Sequence, residues 1–200
     1  MKLLVSPTSP FTRKVRVVVR ELGLESKVEE VDVPLRDETS PLLRYSPLAK
    51  VPALEIEPGL VLCESGRIVD YLDESTGRLH LLPADGRARL DSLALEGMAS
   101  GFMDAVGMRS RYLRAEPQHR SPLLVGFEEG RCRRALPWFG ERLAMIERAG
   151  LLPRITLACV LAFVEYRFDD PWRDEQPELA RWYDDFAARP SMKATAPPAG

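Results

Sequence analysis

Residues 6–15 read SPTSPFTRKV, and this stretch decides how the amino-terminal part of the chain is interpreted. Ser9 directly precedes Pro10, and apolar residues follow at helical spacing as far as Leu22. Serine is a preferred N-cap and proline a preferred first helical residue, so the pattern predicts a helix from Pro10 to Leu22, closed by Gly23. These residues alone favour a helix cap at Ser9 over a chemical role.

Strand patterns lie on both sides of this helix. Residues 2–5, KLLV, form a short apolar run, and residues 28–33, VEEVDV, alternate with a period of two. A strand, a helix and a strand in succession predict a right-handed crossover between parallel strands. Residues 51–57 and 60–63 predict an antiparallel hairpin, and residues 64–74, ESGRIVDYLDE, predict the helix that follows it. The predicted order is β-α-β-(α)-β-β-α.

The rest of the chain shows helical periodicity only. This change of pattern indicates two domains, an α/β domain at 1–77 and an all-α domain at 85–200. Pro137 falls inside one helical pattern, where a proline predicts a kink or a helix start. The predicted helices of the second domain cover approximately residues 85–113, 123–148, 157–166 and 177–188.

The composition excludes several classes of function. Of the 200 residues, 45% are hydrophobic and 29% are charged, as in ordinary globular domains. The net charge of −2, with both signs interspersed, provides no basic surface for nucleic acid or lipid. Because no apolar run reaches the length of a membrane span, a cytoplasmic protein is expected.

The cysteines and histidines argue against a metal site. Cys63, Cys132 and Cys159 are too widely spaced for a CxxC motif and are interpreted as buried free thiols. His80 and His119 are the two histidines and are interpreted as surface or interdomain residues. No metal is therefore expected.

Four separated segments share one pattern: SPFTRKV at 9–15, KVPALE at 50–55, ESGRIVDYL at 64–72 and LARWYDDFAARPSMKATAP at 179–197. Together they resemble the cytosolic glutathione S-transferases, in particular the bacterial and plant-like members with a serine in the SPF motif. The resemblance keeps the family's order and spacing over nearly the whole chain. It implies a thioredoxin-like first domain, a helical second domain that contributes the electrophile pocket, glutathione as co-substrate and a homodimer.

The resemblance implies a glutathione site in the first domain. Val51 and Pro52 match the family's cis-proline, before which the backbone of Val51 pairs with the cysteinyl backbone of glutathione. Glu64 and Ser65 match the γ-glutamyl site at a helix start, and Lys50 matches the cation for the glycine carboxylate. The simpler alternatives are a loop proline, a plain N-cap at Ser65 and a surface lysine.

The resemblance also changes the interpretation of Ser9, which lies where glutaredoxins have the first cysteine of CPxC. Neither Ser9 nor Thr12 is a cysteine, so disulfide exchange through the protein's own thiol is not expected. A charged hydrogen bond of about 1.5–3 kcal/mol and a helix end of about 0.3–1 kcal/mol are together enough to lower a thiol pKa by about two units. Ser9 is therefore predicted to stabilise the thiolate, with Thr8 and Ser6 as alternatives.

The electrophile pocket is less defined by the sequence. Four residues of the first long helix are its candidates, although each of them could equally belong to the helix's core face: Met103, Met108, Arg109 and Tyr112. Asp104 is a weaker candidate, for contact with the neighbouring subunit's glutathione.

Two positions depart from the family. Its core helix usually begins with a capping box, but here Thr156 is followed three residues later by Cys159 instead of an acid. A weaker helix start is expected, at a cost of about 1 kcal/mol. Plant-like members often carry a second lysine where this chain has residues 36–39, RDET. Without that lysine, weaker binding of the glycine carboxylate of glutathione is expected.

The implied function is a glutathione transferase that conjugates glutathione to a small hydrophobic electrophile, as in detoxification. One alternative is a glutathione-dependent isomerase or reductase, and the lack of a cysteine at position 9 argues against reduction. The other alternative is a non-catalytic or regulatory relative. The presence of the whole set of site residues argues against that role.

Overall fold

The computed structural model describes residues 1–35, 37–77 and 81–198, which form two compact units. The first unit consists of residues 1–35, 37–77 and 190–198, and the second unit consists of residues 81–189. The predicted second domain reached residue 200, so the units differ from that prediction in the last residues. Arg36 and His80 lie outside the described residues.

The first unit is built on a four-stranded mixed sheet. Its strands are β1 (Lys2–Val5), β2 (Glu29–Asp32), β3 (Ala53–Glu57) and β4 (Leu60–Cys63), and its first helices are α1 (Pro10–Glu21) and α2 (Ser65–Ser75). The strand order is β2-β1-β3-β4, with β1 and β2 parallel and the other pairs antiparallel. This arrangement confirms the predicted thioredoxin-like fold.

The core of this unit explains why these segments form strands and helices. Leu3 and Leu4 of β1 are buried, as are Val15 and Val18 of α1, because the central strand and the apolar face of the helix both turn away from water. Val51, just before β3, packs against a buried cluster that contains Leu4 and three other side chains. The core therefore holds the segment that precedes β3.

The second unit is a helical bundle, as predicted. Its helices are α3 (Gly86–Leu113), α4 (Pro122–Gly140), α5 (Leu143–Arg148), α6 (Leu151–Arg167), α7 (Trp172–Glu175) and α8 (Pro177–Ala187). Helix α6 is the central one, and Ile155, Leu157 and Val160 on its different sides are all buried. A helix that is apolar all round belongs in the middle of a bundle.

The predicted helix over 123–148 is two helices. Helix α4 continues through Pro137 and ends at Gly140, and α5 begins at Leu143. A proline inside a helix removes one backbone donor, but the carbonyl of Pro137 still accepts the N–H of Glu141 at 2.9 Å. The break therefore follows the proline instead of coinciding with it.

Helix α6 begins earlier than predicted. It starts at Leu151, so Thr156 lies inside the helix and donates its Oγ1 hydrogen to the carbonyl of Leu152 at 3.1 Å. The expectation that Thr156 caps the helix start, in a capping box that lacks its acid, was therefore wrong. Pro153 is tolerated because it lies in the first turn, where backbone N–H groups have no helical partner. Gly150 precedes the helix, and a Cβ there would lie 2.6 Å from the carbonyl of Leu81.

A short last helix, α9 (Pro190–Lys193), belongs to the first unit and packs against α1. The buried Arg13 donates from Nη2 to the carbonyl of Met192 at 3.1 Å. Ser191 also donates its hydroxyl hydrogen to the carboxylate of Glu21. The sequence predicted only a tail here, because four residues are too few for a helical period.

Candidate glutathione site

Ser9 is the N-cap of α1. Its Oγ accepts the N–H of Thr12 at 3.2 Å, its carbonyl accepts the N–H of Arg13 at 2.9 Å, and Pro10 begins the helix. The cap interpretation is therefore confirmed. A hydroxyl has two acceptor positions and one donor hydrogen, so a capping Ser9 can still donate to a ligand. The cap and the chemical role do not exclude each other.

The two alternative hydroxyls lie in the turn before α1. Ser6 is buried, and its carbonyl accepts the N–H of Ser9 at 3.0 Å. Thr8 is half-buried, as Ser9 is. Both alternatives lie close to Ser9 in the chain, but Ser6 has little exposed surface for a ligand.

The peptide bond between Val51 and Pro52 is cis, as predicted. The paired part of β3 begins at Ala53, so Val51 and Pro52 lie just beyond the end of the ladder. Lys50 is exposed beside them. The backbone of Val51 is thus next to a strand end, and the Lys50 ammonium lies in solvent.

Glu64 has an unusual backbone conformation, with φ at 70° and ψ at 121°. A side chain other than glycine is strained at positive φ, by about 1–3 kcal/mol, and such residues cluster at functional sites. Helix α2 begins at Ser65, with Glu64 at the N-cap position, so the alternative of a plain N-cap at Ser65 was wrong. Ser65 is buried and Glu64 is exposed.

The strand register brings these segments to one end of the sheet. Ala53 is the neighbour of Leu4 on one side and of Cys63 on the other. Because β3 is antiparallel to both partners, its beginning meets the ends of β1 and β4. The loop to Ser9, the Val51–Pro52 bond and the Glu64–Ser65 pair therefore lie at the same edge.

The electrostatics of this edge suit a ligand with charged ends. The first turn of α2 presents backbone N–H groups that have no helical partner, which favours anions. The start of α1 adds the positive end of its helix dipole, although Pro10 has no N–H and the N–H of Thr12 is bound by Ser9. Glu64 provides a negative charge beside the α2 start, and Lys50 a positive charge beside β3. An extended peptide with a carboxylate and an ammonium at one end and a second carboxylate at the other matches this distribution.

The electrophile-pocket candidates of the second unit differ in their surroundings. Met103 is 1% exposed and belongs to the core, whereas Met108 and Tyr112 are half-buried. Arg109 has its Nη1 3.4 Å from the carboxylate of Asp170 and its Nη2 3.8 Å from that of Glu129. Its guanidinium also stacks on the ring of Phe168, 4.3 Å from the centroid.

The thiols are free, and two of the three are buried as predicted. Cys132 and Cys159 are buried, and Cys63 at the end of β4 is half-buried. Burial raises the pKa of Cys132 to about 11, so this thiol stays protonated at neutral pH. Thiolate chemistry at Cys132 is therefore not expected.

The parts of the chain that the structure describes contain no cluster of three or more metal-ligating side chains. Within the same residues, no helix is both long and apolar enough to cross a bilayer. His119 is exposed in a short 3-10 turn.

Sequence reasoning missed two features of the site edge. Nothing in a glutamate signals positive φ, so the strain at Glu64 is visible only in the structure. Thr12 is the second feature, since its side chain is fully buried and its backbone N–H donates to Ser9 Oγ. Its signal was the spacing of three residues from Ser9, because an N-cap side chain accepts the backbone N–H of the residue two or three positions later.

Comparisons with known proteins give a consistent result. Residues 3–78 match the family model described as "Glutathione S-transferase, N-terminal domain". The chain is 28% identical over 202 residues to the "Uncharacterized GST-like protein YibF" of Escherichia coli (strain K12), which covers 99% of each. A glutathione transferase family member from Pseudomonas fluorescens Pf-5, solved with bound glutathione, is 34% identical over 99% of each chain, with a TM-score of 0.90. A glutathione S-transferase from Methylobacillus flagellatus KT, solved with GSH bound, is 33% identical over 98% of each, with a TM-score of 0.88.

Proposed function

Because this chain belongs to the glutathione S-transferase family, we propose that it is a cytoplasmic glutathione transferase that conjugates glutathione to small hydrophobic electrophiles. One observation carries the proposal. The start of α1, the cis Val51–Pro52 bond and the strained start of α2 share one edge of the sheet. Their chemistry matches the three parts of a tripeptide thiol.

Glutathione lies along this edge in an extended conformation. Its cysteinyl backbone pairs with the N–H and C=O of Val51, as an added strand would. Its γ-glutamyl carboxylate accepts hydrogen bonds at the start of α2 from Ser65 and the backbone, and its ammonium pairs with Glu64. The glycine carboxylate is attracted to Lys50. These contacts leave the thiol beside Ser9.

Ser9 supplies the chemical step. Its O–H donates to the sulfur while its Oγ keeps the cap on α1, so the thiol loses its proton to solvent more easily. The thiolate attacks the electrophilic carbon and a sulfur–carbon bond forms. In a substitution the leaving group departs with its bonding electron pair. In an addition the pair moves to the neighbouring atom, which then takes a proton from water.

The electrophile is described only by class. Met108 and Tyr112 of α3 are half-buried side chains with apolar surface, which favours small hydrophobic compounds, and Arg109 on the same helix has its charge balanced by two carboxylates. A compensated arginine attracts anions weakly, so an anionic electrophile is disfavoured. Met103 is 1% exposed, so it acts on such a site only through the core of the second unit.

Variants at Ser9 test the catalytic role against the cap. Ser9→Ala removes both, so the bound thiol pKa should rise by about one unit or more and stability should fall by about 1 kcal/mol. Ser9→Asp keeps a good cap without a neutral donor, so the thiol pKa should rise while the helix stays stable. Ser9→Thr keeps both roles and is the control. The readout is the ultraviolet absorbance of the bound thiolate against pH.

Calorimetry with glutathione and a screen of activated aryl halides and enones complete this test. Wild-type protein that binds no glutathione contradicts the proposal. Binding without turnover favours the non-catalytic alternative, and turnover confined to isomerisation or reduction favours the other. If Ser9→Asp titrates like wild type, the donor is Thr8 or Ser6.

A homodimer is part of the proposal. Exposed apolar side chains on α3 and α4, among them Leu90, Leu123 and Phe127, offer a surface that a second copy would cover. Phe127→Glu should then yield a monomer in light scattering at micromolar concentration. Leu43→Glu, at an exposed leucine of the first unit, is the matched control. A monomeric wild-type protein would contradict the dimer and any role of Asp104 across subunits.

A further inference from the structure

Thr12 carries a buried hydroxyl that the fold does not use. Its side chain is 0% exposed, and its Oγ1 has no hydrogen-bond partner among the described residues. A threonine inside a helix usually donates to a carbonyl one turn earlier, as Thr156 does. Because an unpaired buried hydroxyl costs stability, the fold alone would be served better by valine at position 12.

The position of this hydroxyl relates it to Ser9. The Oγ of Ser9 lies 3.2 Å from the backbone nitrogen of Thr12, so the cap already joins the two residues. The Oγ1 of Thr12 is joined to the same nitrogen through Cα and Cβ, so both hydroxyls lie close to one peptide nitrogen. A rotation about the Cα–Cβ bond moves Oγ1 without moving α1.

Ser9 has an acceptor position left for this hydroxyl. A serine oxygen offers two lone-pair directions, and the N–H of Thr12 occupies one of them. The O–H of Ser9 is its one donor. When that O–H points at an anion, the second lone pair can accept a hydrogen bond from another hydroxyl.

We propose that Thr12 is a positioning residue for Ser9, donating its hydroxyl hydrogen to Ser9 Oγ when Ser9 donates to the bound thiolate. This inference rests on the proposed glutathione site. Hydrogen bonds in a chain polarise one another, so the donation by Thr12 makes Ser9 a stronger donor to sulfur. It also fixes the direction of the Ser9 hydroxyl. The buried hydroxyl of Thr12 then gains its hydrogen-bond partner when glutathione is bound.

The experiment compares Thr12→Val and Thr12→Ala, which remove the hydroxyl, with Thr12→Ser, which keeps it. All three are titrated with bound glutathione by thiolate absorbance, and their melting temperatures are measured without ligand. Thr12→Val should raise the bound thiol pKa by about 0.1–0.7 units, since one hydrogen bond strengthens the next in a chain by about 10–30% of a charged hydrogen bond of about 1.5–3 kcal/mol. Its melting temperature should stay equal or rise, and Thr12→Ser should titrate like wild type.

The outcomes separate this role from packing and from the proposed function. If Thr12→Val and Thr12→Ala both titrate like wild type, the role is wrong, whatever their melting temperatures. Should Thr12→Val not fold, Thr12→Ala alone decides in the same way. A shift in Thr12→Ser equal to that in Thr12→Val would mean that shape matters and the hydroxyl does not, which also overturns the role. If the bound thiol titrates at the same pH in Ser9→Asp as in the wild type, Ser9 does not stabilise the thiolate, and the role of Thr12 is wrong with it.

Discussion

In the first unit Ser9, Val51 and Glu64 lie where a helix or strand begins or ends, whereas in the second Met103 and Arg109 lie within a 28-residue helix. Element ends expose backbone groups that have no partner in the ladder or helix. The middle of a helix exposes side chains only, and here they take part in core packing and ion pairs.

This difference shows which part of a two-unit member of the glutathione S-transferase family can be interpreted from its fold. A site made of backbone groups at the ends of helices and strands is kept as long as the sheet is kept, so it suits a ligand that all members of a family share. A site made of side chains in the middle of a helix changes with each substitution, so it suits a substrate that differs from member to member. Substitutions at four residues test this contrast: Arg109, Glu64, Glu30 and Lys50.

Arg109 is expected to matter for stability more than for glutathione binding. Its side chain is 15% exposed, and Arg109→Ala leaves the carboxylates of Asp170 and Glu129 without this partner. We expect the free energy of unfolding to fall by about 2 kcal/mol, with glutathione affinity unchanged. Arg133→Ala, at a side chain 77% exposed and also paired with Glu129, should cost well under about 1 kcal/mol.

Urea denaturation and calorimetry measure both quantities. An Arg109→Ala protein of wild-type stability that loses turnover with one class of electrophile would contradict this prediction. Arg109 would then be a substrate contact instead of a structural one.

Glu64 is expected to trade stability for binding. Glu64→Ala and Glu64→Gly both remove the carboxylate, but only the glycine relieves the positive φ. Both variants should bind glutathione more weakly, and Glu64→Gly should be more stable than Glu64→Ala by about 1 kcal/mol. Equal stabilities in thermal unfolding would show that the backbone at Glu64 is not strained.

Glu30 tests whether ion pairs act alike in both units. Its carboxylate accepts hydrogen bonds from Arg16 and Arg20, each at 2.6 Å. Burial raises the pKa of Glu30, but the two arginines lower it further, so it lies below its usual value. The stabilisation is therefore present above the unfolded pKa of about 4.3 and is lost as pH falls through the lower folded value.

Glu30→Gln should lower the free energy of unfolding by about 1 kcal/mol at neutral pH, and this difference should shrink in acid. Glu29→Gln, at an exposed neighbour on the same strand, is the control. A difference that stays constant down to about pH 3 would show that the charge of Glu30 does not stabilise the fold.

Lys50 should give the smallest effect. The lysine is exposed and far from the sulfur in the proposed complex, so Lys50→Ala should weaken glutathione binding about two- to fivefold and leave kcat unchanged. Lys2→Ala, at the end of β1 that lies away from the proposed site, should change neither glutathione binding nor kcat. Equal losses in kcat and kcat/KM would contradict the assigned position of Lys50.

The sequence predicted the family, the fold class and most elements, because their patterns are local. The cap at Ser9 and the cis bond at Val51–Pro52 have recognisable residues, and both are confirmed. The subgroup with serine in the SPF motif and the roles of the site residues stay predictions.

The errors came from features that depend on distant contacts. The predicted start of α6 at residue 157 was too late, because the helix begins at Leu151, just after Gly150, whose N–H donates to Ser92 Oγ at 2.9 Å. Met103 and Met108 look alike in sequence, and only packing separates the buried one from the half-buried one. The conformation of Glu64 has no local signal at all.

The contact between α9 and α1 sets an order of events during synthesis on the ribosome. Residues 190–198 emerge after the whole second unit, although they pack on the first. Until then the Nη2 of Arg13 lacks the carbonyl of Met192, and Glu21 lacks the hydroxyl of Ser191. The first part of the chain to be made is therefore among the last to be completed. Expressed alone, residues 1–77 would leave the buried Arg13 without the carbonyl of Met192, on the helix that Ser9 caps.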